Sequence, residues 1–78
     1  MKSVSNIVLR GPFITLGQVL KVVGVVQTGG EAKLLLAETL VSVNGIADNR
    51  RGRKLYAGDI VAVKGVAPIH ILPDPDAV

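Results

Sequence analysis

Hydrophobic residues in the first half of the chain recur at the spacing of two amphipathic helices. The first stripe consists of Leu16, Val19, Leu20 and Val23, and the second of Ala32, Leu35, Leu36 and Leu40. Residues spaced by three and four share one face of a helix, so each stripe predicts a short helix with that face buried. Leu34 lies off the second stripe, and the spacing leaves open whether it is buried or exposed.

A capping signal begins each predicted helix. Thr15 is followed three residues later by Gln18, and Thr28 is followed at the same distance by Glu31. In this arrangement the threonine side chain and the longer side chain each accept a hydrogen bond from the other residue's backbone N–H. Gly24 is expected to end the first helix, because glycine adopts left-handed dihedral angles at little cost.

The pattern changes from helical to alternating after residue 40. Val41 and Val43 flank Ser42, and the next two residues, Asn44 and Gly45, form the dipeptide most typical of a two-residue hairpin turn. We therefore predict a β-hairpin at this point of the chain.

Further strands are expected after the hairpin and near the N-terminus. A β-branched run over residues 60–63 predicts one strand, which Gly65 and Pro68 should end before another strand over residues 69–72. Residues 5–9 are a candidate edge strand. The predicted fold class is α+β, with two short packed helices followed by a small, mostly antiparallel sheet that contains the β-hairpin.

Length and composition describe one small domain. The chain has 78 residues, of which 49% are hydrophobic and 19% are charged, enough for a single core and too few residues for two. We expect the domain to span residues 1–72 and residues 73–78 to form a flexible tail. Cysteine is absent, and no apolar run is long enough to span a bilayer, so a cytoplasmic protein without a membrane partner is expected.

Positive charge is concentrated in residues 49–54, NRRGRK, which we call the basic loop. Its cations are Arg50, Arg51, Arg53 and Lys54, and it contains no acidic residue. Mixed charges would keep a small domain soluble equally well, whereas like charges packed this closely repel one another unless a polyanion meets them. We therefore interpret the basic loop as phosphate-binding in preference to merely solubilising. The planar guanidinium of arginine suits phosphate oxygens.

An exposed basic loop has measurable consequences. Neutralising about four phosphates would give a plot of log affinity against log salt a slope of roughly −3 to −4. Exposed charges contribute little to stability, so replacing Arg50, Arg51 and Arg53 with alanine should leave thermal unfolding nearly unchanged.

The start of the second predicted helix is another candidate anion site. The first N–H groups of a helix have no intrahelical acceptor, and Gly29 and Gly30 would let a phosphate approach beside Thr28. A tight helix entry explains the two glycines equally well, and the charge of Glu31 opposes an anion there. Lys33, one turn further on, is either a phosphate contact or an ordinary solvated lysine.

Aromatic residues are scarce, with only Phe13 and Tyr56 present. The stacking platform of single-strand binders is therefore missing, and recognition should depend on phosphates and shape. Tyr56 is a candidate for stacking on an unpaired base, and a ring that covers the sheet edge is the competing interpretation.

Catalytic groups are equally scarce. His70 is the sole histidine, and without cysteine or a nearby carboxylate it forms neither a triad nor a metal site, so we expect a strand residue with no catalytic role. Asp59 should bond to turn amides. The expectation is no enzyme activity, no cofactor, no metal and no small-molecule substrate.

The order of these features resembles the S4 domain, the alpha-L RNA-binding module, from residue 15 to about residue 63. The diagnostic combination is AK at residues 32–33, VSVNG at residues 41–45 and GDI at residues 58–60. In addition, ITLGQ, GGEAK and RRGRKL are similar to segments of small stand-alone bacterial proteins that consist of this domain. Those proteins are described as ribosome-associated or ribosome-maturation factors.

The resemblance implies a non-catalytic module that binds structured RNA, foremost ribosomal RNA, through an L-shaped surface made by the helix pair and the basic loop. Many family members have an arginine where Gly29 stands, so some phosphate affinity is expected either to be missing or to have moved to the basic loop. The predicted RNA-binding residues are Thr28, Gly29, Gly30, Lys33, Arg50, Arg51, Arg53, Lys54 and Tyr56.

Two alternatives remain open. A protein-interaction module linked to replication or recombination would use exposed apolar positions, such as Leu34 and an edge strand at residues 69–72. A duplex-DNA binder would have the same electrostatics. The sequence carries no signal for a particular oligomeric state.

Overall fold

The computed structural model describes residues 5–38 and 41–76, which form an α+β fold. In chain order the elements are β1 (Ser5–Val8), β2 (Ile14–Thr15), α1 (Leu16–Val22), α2 (Gly29–Ala37), β3 (Val41–Val43), β4 (Ile46–Ala47), β5 (Lys54–Leu55), β6 (Ile60–Val63) and β7 (Val66–Leu72). One sheet has the strand order β1-β7-β6-β3-β4, and β2 pairs with β5 in a separate two-stranded sheet. The larger sheet is mostly antiparallel, as predicted, with β1 and β7 as its parallel pair.

Both predicted capping boxes begin the helices. The backbone N–H of Gln18 donates to Thr15 Oγ1 at 3.3 Å, and the N–H of Thr15 donates to Gln18 Oε1 at 2.9 Å. At α2 the corresponding distances between Thr28 and Glu31 are 3.2 and 3.1 Å. Each cap contributes about 1 kcal/mol to stability. The predicted stop is also confirmed, because Gly24 follows α1 with a φ of +81°.

The apolar stripes of both helices pack against the larger sheet and Leu55. The buried helix residues are Leu16, Val19, Leu20, Ala32 and Leu36, while Val23 and Leu35 are partly buried. Leu34 is 69% exposed, which answers the question that the spacing left open. Leu40, the last residue of the second stripe, lies outside the described residues.

The hairpin and the turn before β6 support each other. Asn44 and Gly45 have φ values of +52° and +86°, as a two-residue turn of this hand requires. The Asn44 side chain donates to Asp59 Oδ1 at 3.0 Å and accepts from the N–H of Ile60 at 2.9 Å. Asp59 also accepts from the N–H of Tyr56 at 2.8 Å, so its predicted role in bonding turn amides is confirmed.

The predicted start of the last strand is wrong. β7 begins at Val66, and Pro68 lies inside it. Val61 pairs with Ile69 and Val63 pairs with Val66, so β7 has one residue more than β6 between these pairs. Such a bulge tolerates proline, which has no N–H to give to a regular ladder.

The position of β7 in the sheet also differs from the prediction. It lies between β1 and β6, and both Ile69 and Ile71 are buried, so it is not an edge strand. The edge on this side is β1, which confirms the candidate strand near the N-terminus. His70 lies on the opposite face of β7 from its two isoleucine neighbours and is partly buried.

Residues beyond β7 contact the segment after β1. Arg10 Nη1 donates to Asp74 Oδ1 at 3.0 Å and lies 3.8 Å from Asp76 Oδ2. The domain limits of residues 1–72 and the flexible tail at residues 73–78 stay predictions. Neither helix in the described part of the chain has the length and apolar content needed to cross a bilayer.

Candidate nucleic-acid interface

The basic loop is held against the start of α1. It leads into β5, which pairs antiparallel with β2 and so brings the loop to the first turn of the helix. The N–H of Leu16 donates to the carbonyl of Arg53, and the N–H of Gly17 donates to the carbonyl of Arg51, both at 2.9 Å. Early N–H groups of a helix lack intrahelical acceptors. Here the carbonyl groups of the basic loop accept hydrogen bonds from these N–H groups, and the same bonds fix the position of the loop.

Asp48 holds two of the four loop cations. Its carboxylate accepts from Arg50 Nε at 3.1 Å, from Arg50 Nη2 at 2.9 Å and from Arg53 Nη1 at 2.6 Å. It also accepts from the backbone N–H of Arg50 at 2.9 Å. The Asp48 side chain is only 5% exposed. Hydrogen bonds from Arg50, and then from Arg53, hold the pKa of Asp48 well below its usual range despite burial, and Asp48 in turn raises the pKa of Arg50.

This ion-pair cluster corrects the interpretation of the basic loop as wholly uncompensated. The loop itself contains no acid, but Asp48 lies immediately before it and cancels one of its four positive charges, leaving three. A guanidinium has five N–H donors, of which Arg50 gives two and Arg53 one to the carboxylate. Both arginines therefore keep donors for a further acceptor, and Asp48 restricts where those donors point.

Two grooves adjoin at Gly52. The first, which we call the loop groove, has a volume of about 760 Å³ and is lined by Arg50, Gly52, Arg53, Lys54, Tyr56 and Asp59. The second, the helix groove, has a volume of about 400 Å³ and is lined by Thr15, Gly17, Gln18, Lys21, Gly29, Ala32, Arg51 and Gly52. Because both include Gly52, the cations of the basic loop border one continuous surface.

Arg51 connects the basic loop to the start of α2. Its side chain crosses Gly17, where a Cβ would lie only 2.7 Å from Arg51 Cγ. Its Nη1 then donates to the carbonyl of Gly29 at 3.2 Å. The guanidinium therefore lies beside the first residue of α2, close to the helix end where a phosphate was expected.

The first turn of α2 has N–H groups that the helix itself does not satisfy. Glu31 Oε1 accepts from the N–H groups of Gln27 and Thr28, at 2.6 and 3.1 Å. The N–H groups of Gly29 and Gly30 belong to the first turn and have no intrahelical acceptor. Glu31 brings a negative charge to the same end, but its carboxylate is engaged by backbone amides.

The structure places most of the predicted RNA-binding residues on this surface. Arg50, Arg51, Arg53, Lys54, Tyr56 and Gly29 line the two grooves, and Thr28 and Gly30 flank Gly29. Lys33 is exposed one turn further along α2 and lines neither groove. That these residues bind RNA stays a prediction.

Sequence reasoning missed three contributors to this surface. Lys21 lies one turn after Gln18 on the polar face of α1, and a single lysine on a polar helix face does not by itself indicate a binding site. Gly17 carries no signal for its close approach to Arg51. The third contributor is Asp48, and its ion pair had one indication in the sequence, since it lies two positions before Arg50.

The described residues contain no group of three or more histidine, cysteine, aspartate or glutamate side chains that could hold a metal ion. His70 lies on β7, away from both grooves. The absence of catalysis stays a prediction.

Comparison with known proteins identifies the class. The S4 domain model matches residues 7–71, so the chain belongs to the S4 domain family, and the resemblance noted in the sequence is confirmed. The chain is also similar to a Bacillus subtilis (strain 168) protein, "Probable ribosome maturation protein RlbA". The two are 52% identical over 59 residues, which cover 76% of this chain and 83% of the relative.

Proposed function

We propose that this chain is a non-catalytic RNA-binding module that recognises structured RNA, foremost ribosomal RNA, and acts in ribosome maturation. The carrying observation is the convergence of four loop cations, one of them neutralised by Asp48, around Gly52 beside the open start of α2. Membership of the S4 domain family and the similarity to a named ribosome maturation protein support the same proposal.

The two grooves would divide the phosphate contacts between them. In the helix groove, the Arg51 guanidinium and the N–H groups of Gly29 and Gly30 would bind one phosphate, with Lys21 beside them. In the loop groove, the cations at Arg50, Arg53 and Lys54 would bind the continuing backbone.

The helix pair and the basic loop would together form the L-shaped surface of the alpha-L motif. Lys33, exposed on α2 outside the grooves, would contribute at the periphery. A folded RNA can present phosphates to both grooves at once, whereas a chain with only two aromatic residues offers single strands little stacking.

Co-sedimentation with ribosomal particles tests this proposal. The tagged protein should travel with ribosomal particles in a cell extract at low salt and leave them after ribonuclease treatment. A triple variant with Arg51, Lys54 and Lys21 changed to alanine should stay near the top of the gradient. Wild-type protein that never enters the ribosomal fractions would contradict the proposal. Partners retained after ribonuclease would support a protein-interaction module instead.

The structure reduces the surface available to that alternative. Residues 69–72 lie in an internal strand with Ile69 and Ile71 buried. Of the surface that was considered for protein binding, Leu34 and Leu72 stay exposed. Competition between structured RNA and duplex DNA of equal length tests the duplex-DNA alternative, and preference for the DNA would favour it.

A further inference from the structure

The two aromatic residues of the chain lie side by side. In the two-stranded antiparallel sheet, Ile14 pairs with Leu55. The next residues on the two chains beyond this pair are Phe13 and Tyr56, which therefore lie opposite each other. Their ring centroids are 6.5 Å apart, and the ring planes are inclined by 60°. The pairing of β2 with β5 thus brings the two aromatic rings together, and one of them, Tyr56, lines the loop groove.

Neither ring is needed to close the core at this point. Leu55, between Lys54 and Tyr56 in the sequence, is fully buried and fills that place. Tyr56 is 51% exposed and Phe13 is 38% exposed. A ring whose role is to cover a sheet edge would bury most of its surface, so the exposure of Tyr56 argues against that interpretation.

Lys54 occupies one side of the aromatic pair. Its Nζ lies 4.9 Å from the centroid of the Phe13 ring, within the range of a cation–π interaction. The same lysine also lines the loop groove. Tyr56 presents the more exposed ring, and it lines the groove that carries Arg50 and Arg53.

We propose that Tyr56, supported by Phe13 and Lys54, forms a subsite for one unpaired nucleotide base beside the phosphate-binding loop groove. The inference rests on the proposed function and narrows its ligand to folded RNA with a bulged or unpaired base next to a duplex. Bases within an RNA duplex are inaccessible to a flat ring, whereas an unpaired base can leave the helix and stack on it. The 60° tilt excludes a base sandwiched between the two rings, so the base stacks on the outer face of Tyr56.

The neighbouring charge fits a nucleotide. The Lys54 ammonium has three N–H donors, and an interaction with the face of Phe13 leaves donors free for the phosphate of the stacked nucleotide. A base on Tyr56 and a phosphate at Lys54 would place the adjoining duplex backbone over the loop groove.

The test compares two RNA hairpins that are identical except for a single bulged nucleotide in the stem of one. Wild-type protein should bind the bulged hairpin roughly five- to hundred-fold more tightly, the range expected for one base–aromatic stack. Tyr56→Ala should lose this preference and bind both hairpins as the wild-type protein binds the unbulged one. Tyr56→Phe should keep the preference, because the stacking ring remains. Leu34→Ala, at an exposed apolar position on α2, is the matched control and should behave as wild type.

Intrinsic fluorescence gives a direct second readout. Tyr56 is the sole tyrosine and the chain has no tryptophan, so emission reports on this ring alone. The bulged hairpin should quench the emission more strongly than the unbulged one, since only a stacked base contacts the ring.

The outcomes separate the subsite from the proposed function. Equal affinity of wild-type protein for the two hairpins, with no effect of Tyr56→Ala, overturns the subsite and leaves RNA binding standing. A loss of preference in Tyr56→Phe, or the same loss in Leu34→Ala, overturns stacking on Tyr56. Failure to bind either hairpin overturns both proposals.

Discussion

The carbonyl oxygen of Arg51 accepts a hydrogen bond from the N–H of Gly17 at 2.9 Å, and the side chain of the same arginine passes directly over that glycine. The backbone of the basic loop is thus hydrogen-bonded to α1, and the Arg51 side chain packs against the same helix. The arginine reaches the start of α2 only because residue 17 has no Cβ.

Gly17→Ala should therefore displace Arg51. The new Cβ would lie 2.7 Å from Arg51 Cγ and 3.3 Å from its carbonyl oxygen, so the Arg51 side chain must shift. Alanine gains up to about 1 kcal/mol of helix propensity over glycine, but the contact costs about 1–3 kcal/mol, and we expect a lower melting temperature and weaker RNA binding. Gly11→Ala is the control, since nothing lies within 4 Å of a Cβ there. An unchanged RNA affinity in Gly17→Ala would show that the position of Arg51 is unimportant.

The Asp48 cluster makes the basic loop part of the folded structure. Replacing Arg50 and Arg53 together with alanine would leave the Asp48 carboxylate buried without a cation, which costs about 1–3 kcal/mol. Urea denaturation should show this loss. The expectation that loop arginines can be removed without affecting unfolding therefore applies to Arg51 and not to these two.

A further substitution checks the cause of that loss. Adding Asp48→Asn to the double variant removes the buried charge and should restore part of the free energy of unfolding. If the triple variant is less stable than the double, the carboxylate is not the source of the destabilisation.

Acid stability should depend on Asp48. Its pKa in the folded protein lies below the ordinary value of 3.8, so between these two values the unfolded chain binds a proton that the folded chain does not. The stabilising contribution is complete above about pH 5 and is lost as the pH falls through 3.8 toward the folded pKa. Asp48→Asn should lose less stability than wild type between pH 5 and about pH 2, as measured by urea denaturation at each pH. Parallel curves for the two proteins would contradict the ionic cluster.

Arg51 and Lys33 should differ in their effect on RNA affinity. Arg51→Ala removes a cation at the centre of the surface and should lower the magnitude of the salt-dependence slope by about one. Lys33→Ala, at the periphery, should have a smaller effect. Arg51→Lys should recover part of the charge effect but not the paired N–H donors of the guanidinium. Equal losses for Lys33→Ala and Arg51→Ala would move the centre of the interface toward α2.

Local signals explain what the sequence predicted correctly. The capping boxes at Thr15 and Thr28 and the hairpin turn at Asn44 depend on residues within four positions of one another, and each is visible in a short segment. The internal position of β7 and the bulge at Pro68 depend on pairing with β1 and β6, which no local pattern contains.

In the candidate site, too, some features could be predicted from a short segment and others depend on long-range pairing. The charge of the basic loop was evident, because its cations are consecutive or nearly so. The proximity of Arg51 to Gly29 and of Phe13 to Tyr56 follows from the pairing of β2 with β5, which joins distant parts of the chain. The pairing of Arg53 with Asp48 requires the loop to fold back on its own start.

The salt dependence of binding to a hairpin derived from ribosomal RNA tests the central claim most directly. With Asp48 cancelling one loop charge, about three phosphates should be neutralised, and the plot of log affinity against log salt should have a slope of roughly −2 to −3, shallower than four uncompensated cations would give. A slope near zero would contradict recognition through phosphates.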